Sequence, residues 1–204
     1  MATLQQISLS KDDALIIVDV QNDFLPGGSL AVDRGDEVVP VLNGYIERFG
    51  KLSLPIVATR DWHPADHCSF KAQGGIWPPH CVAASSGADF ASGLTLPEHV
   101  EVVSKATEPE KDAYSGFEGT SLDTWLAERG VRRLFVGGLA TDYCVLNTVR
   151  DGLAAGYRVM LLMDAIRAVN VNPDDGSKAI EEMARLGAVP ISQHQLSAHE
   201  ITPA

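Results

Sequence analysis

Five consecutive apolar residues, Ala14-Leu15-Ile16-Ile17-Val18, run without a polar interruption and stop at Asp19. A strand with one face in water alternates apolar and polar side chains, so an unbroken run of this length fits a strand covered on both faces, as in a parallel sheet with helices on each side. Similar short runs recur at Pro55–Thr59, Val100–Val103, Leu134–Val136, Tyr157–Leu162 and Val189–Ile191. Helical patterns lie between them, over about 36–50, 121–129, 141–155 and 174–186. Pro40 is tolerable near the start of the first, because first-turn N–H groups have no intrahelical partner. The last begins at Asn172-Pro173-Asp174-Asp175, carries Ile180, Met183 and Leu186 on one face, and stops at Gly187. This alternation predicts an α/β chain with one doubly wound sheet of about six mainly parallel strands and helices on both faces. With 204 residues, 45% of them hydrophobic, the chain can bury one sizeable core, so 1–204 is read as a single domain.

Charge narrows the partners. Sixteen Lys and Arg against 27 Asp and Glu give a net charge of -11, which repels nucleic-acid phosphates and anionic membrane surfaces. No apolar run is long enough to span a bilayer, and the N-terminus lacks the apolar segment of a secretory signal. Three cysteines, Cys68, Cys81 and Cys144, are an odd number in a chain that needs no disulfide staples, so a reducing cytoplasm is expected. The oligomeric state is left open, a homo-oligomer included.

The segment from Arg60 to Val100 has no sustained periodicity and is rich in Gly, Pro, His and Trp; loops this long in compact chains are usually functional. In an open α/β sheet the ligand crevice lies beyond the carboxyl ends of the strands, and Asp19, Asp61, Lys105 and Gly138 all fall there. Cys144 follows Gly137-Gly138-Leu139-Ala140-Thr141-Asp142-Tyr143, a strand end and a helix start that Thr141 could cap. First-turn N–H groups would favour a thiolate below its free pKa of about 8.5 and could also hold an oxyanion. Asp19 is positioned to accept the thiol proton and Lys105 to balance the charges. Lys105 is preferred to Lys111 because it closes the strand Val102-Val103-Ser104, whereas Lys111 lies in the polar turn Glu108–Asp112. Cys68 and Cys81 are read as small buried hydrophobes. Asp61, His63 and His80, within a loop region of about 60–99, offer one carboxylate and two imidazoles, a set that leaves positions open on one divalent ion such as Zn, Fe or Mn. His67 is left open between a fourth ligand and a supporting partner.

Taken in order, Asp19-Val20-Gln21-Asn22-Asp23-Phe24, Pro26-Gly27-Gly28-Ser29-Leu30, Thr59-Arg60-Asp61-Trp62-His63, Trp77-Pro78-Pro79-His80-Cys81, Gly87-Ala88-Asp89-Phe90, Tyr114-Ser115-Gly116-Phe117 and Gly138–Cys144 resemble the nicotinamidase branch of the isochorismatase-like cysteine hydrolases across nearly the whole chain. The resemblance implies a catalytic triad of Asp19, Lys105 and Cys144, and metal ligands Asp61, His63 and His80. It further implies a ring pocket of Phe24, Trp77 and Tyr114, with Tyr143 on its wall, and a cis Leu139–Ala140 peptide that helps turn N–H groups, including that of Ala140, toward the oxyanion. The expected activity is hydrolysis of nicotinamide, and of pyrazinamide as well, to the acid and ammonia through a thioester, as in NAD salvage. Tyr143 departs from relatives that carry histidine there. The shorter spacing from His63 to His67 keeps a ligand role from being carried to His67. Two alternatives remain: another amidase or hydrolase of the same superfamily, against which the metal set weighs, and a non-catalytic metal- or ligand-binding relative, against which the complete triad weighs.

Overall fold

The computed structural model describes residues 6–197. Six strands, β1 (Asp13–Val18), β2 (Ile56–Asp61), β3 (Glu101–Lys105), β4 (Arg133–Leu139), β5 (Arg158–Arg167) and β6 (Val189–Ile191), form one sheet in the order β3-β2-β1-β4-β5-β6. Every pairing is parallel. The α/β, doubly wound architecture expected from the apolar runs is therefore present. β1 occupies the centre with all six residues buried, and the strand order reverses between β1 and β4, where such sheets open a crevice for a ligand.

Both faces of β1 are used. Leu15 and Ile17 pack with Leu42, Tyr45 and Phe49 of α1 (Val38–Lys51), while Ala14, Ile16 and Val18 join Leu126 of α2 (Leu122–Glu128), Val149 of α3 (Leu146–Ala154) and Met183 of α4 (Asp175–Leu186). α1, α2 and α4 form close to where their spacing places them, α3 starts only at Leu146 rather than near 141, and Gly187 closes α4 at φ 114°, a left-handed conformation that glycine adopts without Cβ cost. No described helix is long and apolar enough to cross a membrane.

Two local readings need correction. Strands β2, β3, β4 and β5 run past their apolar stretches, and at the ends of β2 and β3 this is because polar residues also pair: Arg60 lies opposite Ser104 and Asp61 opposite Lys105, with Arg60 Nε donating to Ser104 Oγ at 2.9 Å. Thr141 does not cap the helix before Cys144. Residues Thr141–Val145 instead form a π turn that leads into α3, and the Ala140 carbonyl accepts both the Tyr143 and the Val145 N–H at 3.1 Å. The main chain thus closes its own wider turn without a side-chain cap.

From β2 to β3 the chain contains one short 3-10 turn, Lys71–Gln73, and isolated bridges pairing His63 with Val82 and Phe70 with Trp77. This irregular segment folds back over the carboxyl edge of the sheet.

Candidate active site

Asp19 leaves β1 in a left-handed conformation (φ 48°), which turns the chain across the end of the sheet. Beside it, Gly138 of β4 lies so close that a Cβ there would stand 2.1 Å from the Val18 carbonyl oxygen. Only glycine lets β4 approach β1 at this level and deliver the next turn, with Cys144, over Asp19. Ala106, directly after Lys105, and Cys81, directly after His80, also adopt positive φ (51° and 46°). Non-glycine residues in this region are uncommon, and their gathering around one edge marks a site.

Lys105 lies at the centre and is nearly inaccessible. Its Nζ forms an ion pair with Asp19 Oδ2 at 2.9 Å, makes a short contact with Asp61 Oδ1, and donates to the Ala113 carbonyl at 3.2 Å and to Cys144 Sγ at 3.5 Å. Lys111 by contrast is exposed and pairs with Glu108 in its own turn. Asp19 Oδ1 accepts the Thr59 hydroxyl at 2.6 Å, whereas Oδ2 lacks an aligned hydrogen bond despite the nearby ammonium. The two observations agree once the lysine's three N–H groups are counted, since Asp61, Ala113 and Cys144 already draw them. Asp19, Asp61 and Cys144 offer ligand or acceptor atoms within 4.8 Å of one another.

Charge in this space is divided unequally. Burial pushes the Asp19 carboxyl above the usual carboxylate range, Asp61 adds to the rise, and Lys105 only partly opposes it. Burial acts on Asp61 too, but Lys105 and His63 outweigh it and hold Asp61 well below that range. Lys105 is raised: burial disfavours its charge, yet Asp19 and Asp61 on either side prevail. Cys144 departs from the sequence expectation. Burial lifts the thiol well above its ordinary value, Lys105 counteracts only in part, and Asp19 and Asp61 reinforce the rise. Position at a helix start favours a thiolate only while solvent or unopposed dipoles stabilise it, and here two carboxylates from distant segments face the sulfur.

The second cluster adjoins the first through Asp61. His63 Nε2 lies 3.7 Å from Asp61 Oδ2, while Oδ1 of the same carboxylate faces Lys105. His63 Nδ1 is 3.3 Å from the Ala106 carbonyl and His80 Nδ1 2.8 Å from the Pro78 carbonyl, so in each ring a main-chain oxygen receives Nδ1–H and Nε2 is left with its lone pair. His63 Nε2 is buried without any hydrogen-bond partner. Asp61, His63 and His80 place one donor atom each within 4.8 Å of one another. Burial also pushes the His80 pKa down, which keeps its ring neutral. Two imidazoles with their Nδ1 fixed by carbonyls and a buried orphan Nε2 beside a carboxylate have the donor chemistry of a divalent-metal site. His67 differs: Ser69 Oγ at 2.8 Å and the Lys111 carbonyl at 3.0 Å occupy both its nitrogens, and its ring stacks against His63 with centroids 4.2 Å apart.

Both clusters open on one narrow cleft lined by Phe24, Trp77, Tyr114, Tyr143 and Ala140 together with Cys144, Asp61 and His80. Trp77 Nε1 donates to Tyr114 Oη at 2.9 Å, and the Tyr143 ring lies 5.1 Å from Trp77 and 5.7 Å from Tyr114, giving one aromatic wall. The Leu139–Ala140 peptide at the base is cis. A larger groove at the opposite edge of the sheet, between Asp123 and Arg158, carries none of these groups.

The isochorismatase domain family matches residues 13–195. The chain belongs to this family. Within the isochorismatase family, the chain is 41% identical to the nicotinamidase of Escherichia coli (strain K12) over 86% of its own length and 92% of that protein. The pyrazinamidase of Pyrococcus horikoshii, solved in complex with zinc, superposes with a TM-score of 0.86 at 48% identity, covering 89% of this chain and 99% of that one. PnC1 from L. infantum, solved in complex with nicotinate, gives a TM-score of 0.87 at 37% identity over 95% and 100% of the two chains.

Within this isochorismatase-family site, sequence reasoning left several contributors without a role. Leu30 and Val169 complete the cleft. Asp142 holds Val169 in place, its two oxygens accepting the Val169 and Asn170 N–H groups at 2.9 and 2.8 Å. Thr59 fixes Asp19, and Asp23 accepts the Cys81 N–H at 2.7 Å next to His80. Asp23 and Asp142 stood within quoted segments, but their partners Cys81 and Val169 lie elsewhere in the chain.

Proposed function

We propose that this chain is a nicotinamidase, hydrolysing nicotinamide to nicotinate and ammonia with Cys144 as nucleophile, and that pyrazinamide is accepted in the same way. The observation that carries this reading is that Cys144, within reach of Lys105, lines a single aromatic cleft together with Asp61 and His80, two of the three grouped metal donors. The resting thiol is neutral and lies beside Asp19, the carboxylate with the raised proton affinity. Asp19 takes the Cys144 proton as sulfur attacks the carboxamide carbon, and Lys105 compensates the negative charge shared by the two groups. N–H groups of the turn, those of Ala140 and Cys144, hold the tetrahedral oxyanion. Asp19 then returns the proton to the departing ammonia and afterwards draws one from the water that cleaves the thioester, so that acid and ammonia leave and the thiol is restored.

Asp61, His63 and His80 would hold one divalent ion, and imidazole with carboxylate suits Zn(II), Fe(II) and Mn(II). The zinc complex of the P. horikoshii relative supports zinc as the ion to load. When bound, the ion supplies an open coordination position for a ring nitrogen. Phe24, Trp77, Tyr114 and Tyr143 flank the ring and exclude water, bringing its amide to the sulfur.

Ammonia release from nicotinamide and from benzamide, each with zinc-loaded and metal-free protein, tests this reading. Nicotinamide should be turned over much faster than benzamide with zinc, and the gap should narrow without it, because neither ring then gains a coordinate bond. No ammonia from nicotinamide with zinc-loaded protein would overturn the activity; a nicotinamide preference unchanged by metal removal would transfer ring orientation to the aromatic wall.

A further inference from the structure

Parallel pairing ends early between β1 and β2. Val18 lies opposite Thr59, and after it the chain turns at Asp19, so no β1 main chain continues beside Asp61. The place is taken by a side chain. The amide of Gln21, fully buried, accepts the Asp61 N–H at Oε1 (2.8 Å) and donates Nε2–H to the Asp61 carbonyl (2.8 Å). Its other Nε2–H goes to the Ala88 carbonyl at 2.9 Å. One side chain thus mimics a neighbouring peptide and also anchors the returning loop.

The residue held is the one that both clusters share. Asp61 directs Oδ1 to Lys105 and Oδ2 toward His63. A carboxylate with two tasks on opposite oxygens tolerates little rotation or shift of its main chain. The geometry points to Gln21 as a positioning residue for metal binding, acting through the Asp61 backbone and touching neither ion nor substrate; this rests on the reading of Asp61, His63 and His80 as a metal site. Methionine, similar in length, cannot replace any of the three hydrogen bonds, and loss of a group that orients a ligand typically lowers metal affinity by about 10- to 100-fold.

The experiment is zinc affinity by chelator competition, with thermal stability measured alongside, for wild type, Gln21→Met, Gln21→Ser and Tyr45→Phe. Gln21→Ser leaves room for water to meet the same main-chain groups and covers the case in which Gln21→Met fails to fold. Tyr45→Phe removes a buried hydrogen bond, Tyr45 Oη to Asp164 at 3.0 Å, on the α1 face away from the cleft, and serves as the stability control. Wild type should bind one zinc, the Gln21 variants should bind it about 10- to 100-fold more weakly, and Tyr45→Phe should match wild type. Gln21 variants within twofold of wild type would overturn the inference and leave the metal site standing. Equal weakening in Tyr45→Phe would reduce Gln21 to general stability, and a wild type that binds no zinc would remove the metal reading and the inference with it.

Discussion

β1 carries a buried aspartate at each end, and the two are built differently. At its start Asp13 is completely paired: Arg133 Nε donates to Oδ1 at 2.7 Å and Arg133 Nη2 to Oδ2 at 2.6 Å, while the Ser10 N–H reaches Oδ2 at 2.7 Å. Just past its end Asp19 has one oxygen satisfied by Thr59, and the other faces an ammonium whose N–H groups are drawn elsewhere. A bidentate guanidinium fixes a carboxylate in geometry. A lysine shared by two carboxylates and a thiol leaves one oxygen free to take a proton. The same residue type, on one strand and at equal burial, serves the fold at one end and chemistry at the other.

The largest expected effect is on turnover at the Asp19 end. Cys144→Ala should abolish ammonia release, and Asp19→Asn, which keeps the shape but not the proton acceptor, should lower kcat by a factor of about 100 or more. Lys105→Ala should be comparably severe, whereas Lys111→Ala, Cys68→Ala and Asp13→Asn should retain substantial activity. Steady-state kinetics across these variants, with mass spectrometry of the protein after an electrophilic amide analogue, provides the check. Labelling chiefly at Cys68, or a silent Lys105→Ala beside a damaging Lys111→Ala, would break the contrast.

Stability should show the reverse ranking. Arg133→Met leaves the Asp13 carboxylate buried and unpaired and should cost about 3 kcal/mol, the scale for breaking one partner of a buried pair. Asp19→Asn removes a carboxylate whose charge burial disfavours, so it should be neutral or stabilising despite the loss of activity. Urea denaturation of both variants measures the difference. A large stability loss in Asp19→Asn would make Asp19 as structural as Asp13.

Much of this was readable in the sequence, for a physical reason. Strands buried on both faces are continuously apolar, so β1 and its neighbours announced themselves, and their carboxyl ends brought Asp19, Asp61 and Lys105 to one edge. Lys105 could be told from Lys111 by the strand it closes. The strand ends were cut short because Arg60 and Asp61 are held by partners some 44 residues away. Thr141 was misread as a cap because a π turn closed by the main chain leaves no mark in composition. The acidity of Cys144 was taken in the wrong direction, since the local turn favours a thiolate while Asp19 and Asp61, which oppose it, come from elsewhere in the chain. Gln21 was visible only as part of a motif; its work is done on Asp61 and Ala88, 40 and 67 residues on.

The smallest effect is the pH dependence that Asp19 lends the fold. Its folded pKa lies above the ordinary value of 3.8, because burial and Asp61 outweigh Lys105. Between 3.8 and that raised value the folded chain holds a proton on Asp19 that the unfolded chain has released, so this group makes stability fall as pH rises through the window. Asp61, held below its ordinary value, acts at lower pH and with the opposite sign: its contribution is present above 3.8 and is lost as pH falls toward its folded pKa. In metal-free protein, then, Asp19→Asn should gain stability relative to wild type as pH is raised from about 4, and the gain should level off once Asp19 is ionised in both states. Urea titrations of the two proteins at closely spaced pH values measure the difference. A gain that instead grew as pH fell would place the Asp19 pKa below its ordinary value, and the oxygen without an aligned hydrogen bond would then belong to a carboxylate that Lys105 holds in its charged form.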